Sequence, residues 1–154
     1  MTLRMDNVLI VVDDLDGAIA FFEQLEMELE GRMPIEEPWV DRTIGIDGTR
    51  AEIATMRTPD GHGRIELDKF YTPAAVTPEP NPLPINAYGI RRIMFNVDDI
   101  DAVLARLTAH GAELVDEVVD YQDIYRLCYV GGPEGILLGL AQDLRRESGS
   151  EPTA

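Results

Sequence analysis

The sequence predicts an α+β protein made of two tandem βαβββ modules. Three observations carry that expectation. The first is an internal repeat: NVLIVVDDLDGAIAFF (Asn7 to Phe22) lies on RIMFNVDDIDAVLARL (Arg92 to Leu107) at an offset of 85 residues. Glu28-Leu29 and Glu113-Leu114 keep that offset, and Pro59-Asp60-Gly61 answers Pro133-Glu134-Gly135 with it shortened to 74. Two copies of this length describe a duplicated module, not a solenoid, which stacks more and shorter units. The second is a change of hydrophobic period, from two to 3.6, at the Asp-Asp of each copy, which marks a strand running into a helix. The third is a stretch with five prolines, Tyr71 to Tyr88, that separates the copies. The expected division is residues 1–71 for the first module, 72–88 for a linker, 89–142 for the second module and 143–154 for a flexible tail.

In chain order, Met5 to Val12 is apolar and rich in β-branched residues and reads as a strand. Asp13-Asp14 ends it, with Asp14 or Asp16 capping a helix whose apolar face is Leu15, Ile19, Phe22 and Leu25. Glu28 to Met33 is a second strand and Pro34 to Trp39 a loop. Asp41 to Ile46 and Ala51 to Arg57 flank Asp47-Gly48 and read as a hairpin. Gly63 to Phe70 closes the module after a turn. In the second copy Ile90 to Val97 is a strand. Ile100, Val103, Leu104 and Leu107 line a helix face that ends at His110-Gly111. Glu113 to Val119, Ile124 to Val130 and Ile136 to Ala141 supply the remaining strands. The tail, DLRRESGSEPTA, is polar.

Composition narrows the function classes. The chain has 154 residues, 45% apolar and 27% charged, as in ordinary globular domains. A net charge of −16 argues against nucleic acid or an anionic membrane as partner, both of which need a basic footprint. The acid surplus either confers solubility or favours a cationic ligand. Cys128 is the single cysteine, so no intrachain disulfide forms; it reads as a small buried hydrophobe. No apolar run approaches the ~20 residues of a membrane span, and a cytoplasmic location is the default expectation.

With the repeat, the V-x-D-[LI]-D start of each helix and the P-[DE]-G before each last strand in view, the chain resembles the vicinal oxygen chelate superfamily. This is the group of glyoxalase I, extradiol dioxygenases, fosfomycin-resistance proteins and bleomycin-binding proteins. The resemblance covers about residues 5–142. It implies that each module wraps a curved mixed sheet around a cavity, with its helix on the outer face. It also implies a homodimer, and the linker length permits modules to pair within a chain or to exchange between chains. Because the superfamily hosts several activities, fold does not settle function.

In metal-dependent members each module offers one ligand at the head of its first strand and one in its last. Carried onto this chain, the resemblance places those positions at Asn7, Glu66, Arg92 and Gly139. A divalent cation wants imidazole nitrogens and carboxylate oxygens. Glu66 qualifies; Asn7 is a weak neutral donor, Gly139 has no side chain and Arg92 is a permanent cation. No metal site and no cofactor are therefore expected, with a divalent metal kept as the disfavoured alternative. His62, in a turn, and His110, at a helix end, do not stand in easily.

Strand alternation reaches the same face independently. Val8, Ile10 and Val12 oppose Asn7, Leu9 and Val11; Ile65 and Leu67 oppose Arg64, Glu66 and Asp68; Ile93, Phe95 and Val97 oppose Arg92, Met94 and Asn96. The face away from the helices thus carries Asn7, Glu66, Arg92 and Asn96 among Leu9, Val11, Met94 and Leu137, the mix of a small-molecule site. Arg92 is expected where the metal would sit, paired with Glu66, either holding an anionic or carbonyl-bearing ligand or filling a dead site; a surface role is the alternative. Trp39 is a candidate for ligand stacking or a dimer contact. Tyr121, Tyr125 and Tyr129 favour packing, with Tyr125 kept as a ligand contact.

The sequence therefore points to a metal-free protein that binds, and in its concrete version sequesters, a cationic or aromatic small molecule. The alternative is a metal-dependent lyase or oxidoreductase of glyoxalase or dioxygenase type, with Glu66 as the catalytic residue.

Overall fold

Two sheets with the same plan account for the repeat. The computed structural model describes residues 3–145, which fall into two units divided between Thr77 and Pro78. In the first unit the strands are β1 (Val8–Val11), β2 (Glu28–Ile35), β3 (Arg50–Arg57) and β4 (Arg64–Thr72), in the order β1-β4-β3-β2, with β1 parallel to β4 and the other pairs antiparallel. In the second they are β5 (Arg92–Asn96), β6 (Glu113–Leu114), β7 (Val119–Tyr121), β8 (Tyr125–Gly131) and β9 (Leu137–Asp143). Their order is β5-β9-β8-β6, with β7 also on β8 and β5 parallel to β9. β1, β4 and β3 thus correspond to β5, β9 and β8.

The helices start as the sequence signals. In α1 (Leu15–Glu23) the Asp14 carboxylate accepts the Gly17 N–H at 2.9 Å; in α3 (Ile100–Ala109) Asp99 accepts from Ala102 at 3.0 Å. Leu15, Ala18, Ile19, Phe21 and Phe22 of α1 are buried, and α1 packs on β3 and β4, whose inward residues Ala54, Met56, Ile65 and Leu67 are buried too. In the second unit Ile100, Val103 and Leu107 are buried with Val130, Leu138 and Leu140. The buried Gln142 side chain accepts the Ile100 N–H at 2.9 Å, satisfying one of the orphan donors at the start of α3. Cys128 is buried as expected, and burial pushes its thiol pKa up.

The first correction concerns the expected hairpin. Residues Asp41 to Ile44 are not a strand; they belong to a short helix, α2 (Pro38–Ile44), and β2 pairs with β3 directly. Pro38 supplies a fixed φ at the first turn, and Gly45, at φ 75°, closes the helix in the left-handed region. The Asp41 carboxylate then accepts the N–H groups of Gly48 at 2.8 Å and Thr49 at 2.9 Å, which turns the chain into β3. Those bonds, Thr49's first, hold the Asp41 pKa below the usual carboxylate value. A lowered folded-state pKa stabilises above the unfolded pKa and is lost as pH falls through the folded value. Asp41→Ala is therefore expected to lower the thermal midpoint at pH 7, by an amount that shrinks as falling pH protonates the wild-type carboxylate; melts stepped down from pH 7 check this.

The second correction is to Glu113 to Val119, which is not one strand. It divides into β6 and β7, both paired with β8, on either side of a bend at Val115-Asp116. The connection from β7 to β8 places Gln122 and Asp123 at φ 50° and 56°, in the left-handed region. At the C-terminal end Asp143 still belongs to β9; residues 146–154 of the expected tail lie outside the described residues. Within the linker, the Arg91 guanidinium donates to the carbonyls of Leu83 and Pro84, tying those residues to the second unit.

Candidate functional site

In each unit one sheet face lies against the helix and the other is open. The register of β1, β4 and β3 sets two rows across the open face of the first unit: Leu9, Glu66 and Thr55 form one, and Val11, Asp68 and Ile53 the next, which Met33 of β2 extends. Leu9, Val11, Ile53 and Met33 are its apolar part. At its edge Arg64 is held by Glu30 at 2.8 Å and lies 3.6 Å from Asp6.

Glu66 and Asp68 are two residues apart on one strand, so both carboxyl groups leave the same face. Asp68 is only 7% exposed and its Oδ1 has no hydrogen-bond partner. Burial raises its pKa to about 7, helped by the charge of Glu66 and by a hydrogen bond with it. The alternation that places Glu66 on this face places Asp68 there too. What the sequence reading did not supply is that Asp68 is dry. Of the other candidates in this unit, Asn7 is exposed just ahead of β1 and donates to Asp6 at 2.8 Å. Trp39 is 55% exposed, but on α2 and not in a loop.

The open face of the second unit repeats the rows with different chemistry. Met94 of β5, Gly139 of β9 and Tyr129 of β8 align, as do Asn96, Ala141 and Leu127. Glu66 and Asp68 therefore correspond to Gly139 and Ala141. Arg92 and Asn96 are exposed, with Met94 between them 39% exposed on the same face, as the alternation predicts. The Arg92 guanidinium donates to the Tyr129 hydroxyl and lies over that ring, 5.4 Å from its centre. Tyr125, further along the same strand face, accepts from Arg145 at 2.7 Å. Two of the three tyrosines, Tyr125 and Tyr129, thus serve as arginine partners.

This geometry tests the metal positions directly. At Gly139 a Cβ would lie 2.6 Å from Met94 Cε, 3.2 Å from Arg92 Cδ and 3.4 Å from the Tyr129 ring. A side chain there would need the Met94 methyl to swing aside and the Arg92 stem to give by a few tenths of an ångström, and would meet the Tyr129 ring at ordinary contact distance. The second unit supplies no ligand at its two positions, and the first supplies one carboxylate and one amide. Among the described residues no three His, Cys, Asp or Glu side chains are grouped as a metal site. His62 sits in an exposed turn, and His110 caps the C-terminus of α3, its Nδ1 3.1 Å from the Arg106 carbonyl. The residues present do not fit the metal of the metal-dependent proteins.

Comparison with known proteins agrees with the fold. The family model for the glyoxalase/bleomycin resistance protein/dioxygenase superfamily matches residues 4–140. The crystal structure of a glyoxalase family protein from Bacillus cereus is 54% identical, with a TM-score of 0.89 over 94% of this chain and 96% of that one. An uncharacterized protein of Bacillus subtilis, YwbC, is 28% identical over 88% of this chain and 94% of its own length. The fosfomycin resistance protein FosX of Listeria monocytogenes, solved with Mn(II) and sulfate, is 16% identical with a TM-score of 0.60, covering 97% of this chain and all of that one; at that distance the likeness is one of fold.

Proposed function

The chain belongs to the glyoxalase/bleomycin resistance protein/dioxygenase superfamily, and from that premise we propose that it is a metal-free small-molecule binding protein that sequesters a cationic or aromatic compound. The observation that carries this reading is the packing at Gly139. Where a metal-dependent relative needs a donor, this chain has a glycine roofed by Arg92, Met94 and Tyr129. A guanidinium there opposes a divalent ion and suits a ligand's carbonyl or carboxylate.

The remaining polar groups are sparse. In the first unit Asn7 and Glu66 are the polar ligand contacts, beside the apolar Leu9 and Val11; in the second they are Arg92, Asn96 and Tyr125, beside Met94. These large apolar side chains are exposed on open faces, which supports ligand contact. Trp39 offers a stacking surface. The working assembly is a homodimer, and a cytoplasmic location keeps Cys128 reduced. Among the described residues no helix is long and apolar enough to cross a membrane.

Metal analysis with thermal melts tests the reading. Protein purified and then exposed to Mn, Fe, Ni and Zn salts is expected to retain substoichiometric metal, with the same midpoint with and without EDTA. An arylalkylamine at a hundred times its Kd is expected to stabilise by about 2.7 kcal/mol. Stoichiometric metal that disappears in Glu66→Ala would overturn the reading and return a metal-dependent enzyme with Glu66 as ligand.

A further inference from the structure

We propose that Glu66 and Asp68, on the open face of the first sheet, bind the head group of an organic monocation: an ammonium, amidinium or guanidinium carried on an apolar body. The inference rests on the binding-protein reading and specifies which ligand class the first unit recognises.

Asp68 Oδ1 is a carboxyl oxygen buried with no hydrogen-bond partner. Such an atom is costly to keep, and folded proteins pair nearly all of them. The cations nearest in sequence do not serve it. Arg64, on the same strand, is held by Glu30 and Asp6; Lys69 bonds the carbonyl and carboxylate of Asp13. Arg57, on the next strand, pairs with Glu28. Glu66, partly exposed, shares one hydrogen bond with Asp68 and leaves Oδ1 without a partner, so that oxygen still wants a donor from outside.

The surroundings select the donor. The side chains in register with the pair are Leu9, Val11, Ile53 and Thr55, with Met33 beyond. Only Thr55 adds an oxygen. A hard divalent cation takes six or more oxygens, and zinc wants nitrogen or sulfur, so this set is poor for either. An ammonium carries three N–H donors and an amidinium four, which two carboxyl groups accept well. The apolar residues around the acids then cover the ligand's hydrocarbon body. The corresponding positions of the second sheet, Gly139 and Ala141, lack acids, so that sheet does not repeat the pair.

Titration calorimetry on the full chain with 2-phenylethylammonium and benzamidinium chlorides tests this, with 2-phenylethanol as the neutral isostere. The cations are expected to bind at least about tenfold more tightly than the alcohol, the worth of one charge-assisted hydrogen bond. Asp68→Asn and Glu66→Gln, checked for folding by circular dichroism, are each expected to remove that preference, while the surface variant Glu36→Gln keeps it. Equal binding of cation and alcohol, or an Asp68→Asn protein that still prefers the cation, overturns the site. If neutral aromatics alone stabilise the protein, this inference fails and the binding-protein reading stands. Stoichiometric metal lost on Glu66→Ala sinks both.

Discussion

Asp68→Asn is expected to raise the thermal midpoint at pH 8 by several degrees and to flatten its pH dependence. The folded-state pKa of Asp68 is about 7, against an ordinary value of 3.8. Between those values the folded protein keeps a proton that the unfolded chain has released. Stability therefore falls as pH rises from about 4 through 7, and the loss is complete above the folded pKa. The displacement corresponds to a few kcal/mol, and for a chain of this size each kcal/mol moves the midpoint by about 2–4 °C. Asparagine has nearly the same shape, never ionises and can donate to Glu66. Calorimetry of both proteins from pH 4 to pH 8 should show the curves diverging as pH rises. Curves that stay parallel would mean that Asp68 is compensated in the folded protein. The same substitution is expected to cost ligand affinity, the trade expected of a dry acid with one unsatisfied oxygen kept for binding.

The second large effect separates the two faces of one sheet. Leu140→Ala is expected to cost roughly 2–5 kcal/mol, while Met94→Ala costs about 1 kcal/mol or less. Leu140 is fully buried on the helix face of β9, in register with Phe95 and Cys128. Its removal leaves a cavity among Leu107, Val130 and Leu138 wherever they cannot close in. Met94 projects from the opposite face, and its Cε lies over Gly139 at the surface. Urea denaturation midpoints measure both. Equal losses would mean that the open face of the second sheet is core in the folded protein, and the ligand-binding reading would lose its surface.

Much of this was legible beforehand, because duplication and alternation are local properties. The offset between Asn7–Phe22 and Arg92–Leu107 anticipates the shared sheet order, and period-two alternation assigns Glu66, Arg92, Met94 and Asn96 to the open faces. The misreading at Asp41–Ile44 has an equally local cause: Val40, Thr43 and Ile44 are β-branched and favour a strand. What overrides them is Pro38 at the helix start, Gly45 at its end, and an Asp41 carboxylate that reaches forward to two amides.

The sequence by itself determined the repeated module and the face on which each strand residue lies, since these depend on residue type and spacing alone. Tertiary structure decided that Asp68 is dry while Arg92 is exposed and held by Tyr129. Desolvation depends on what packs around a residue from elsewhere in the chain; in register Asp68 lies between Val11 and Ile53, while Arg92 lies against Gly139. Two acids two residues apart look alike in a string of letters, and become unlike only in the packed sheet, where one is buried and the other partly exposed.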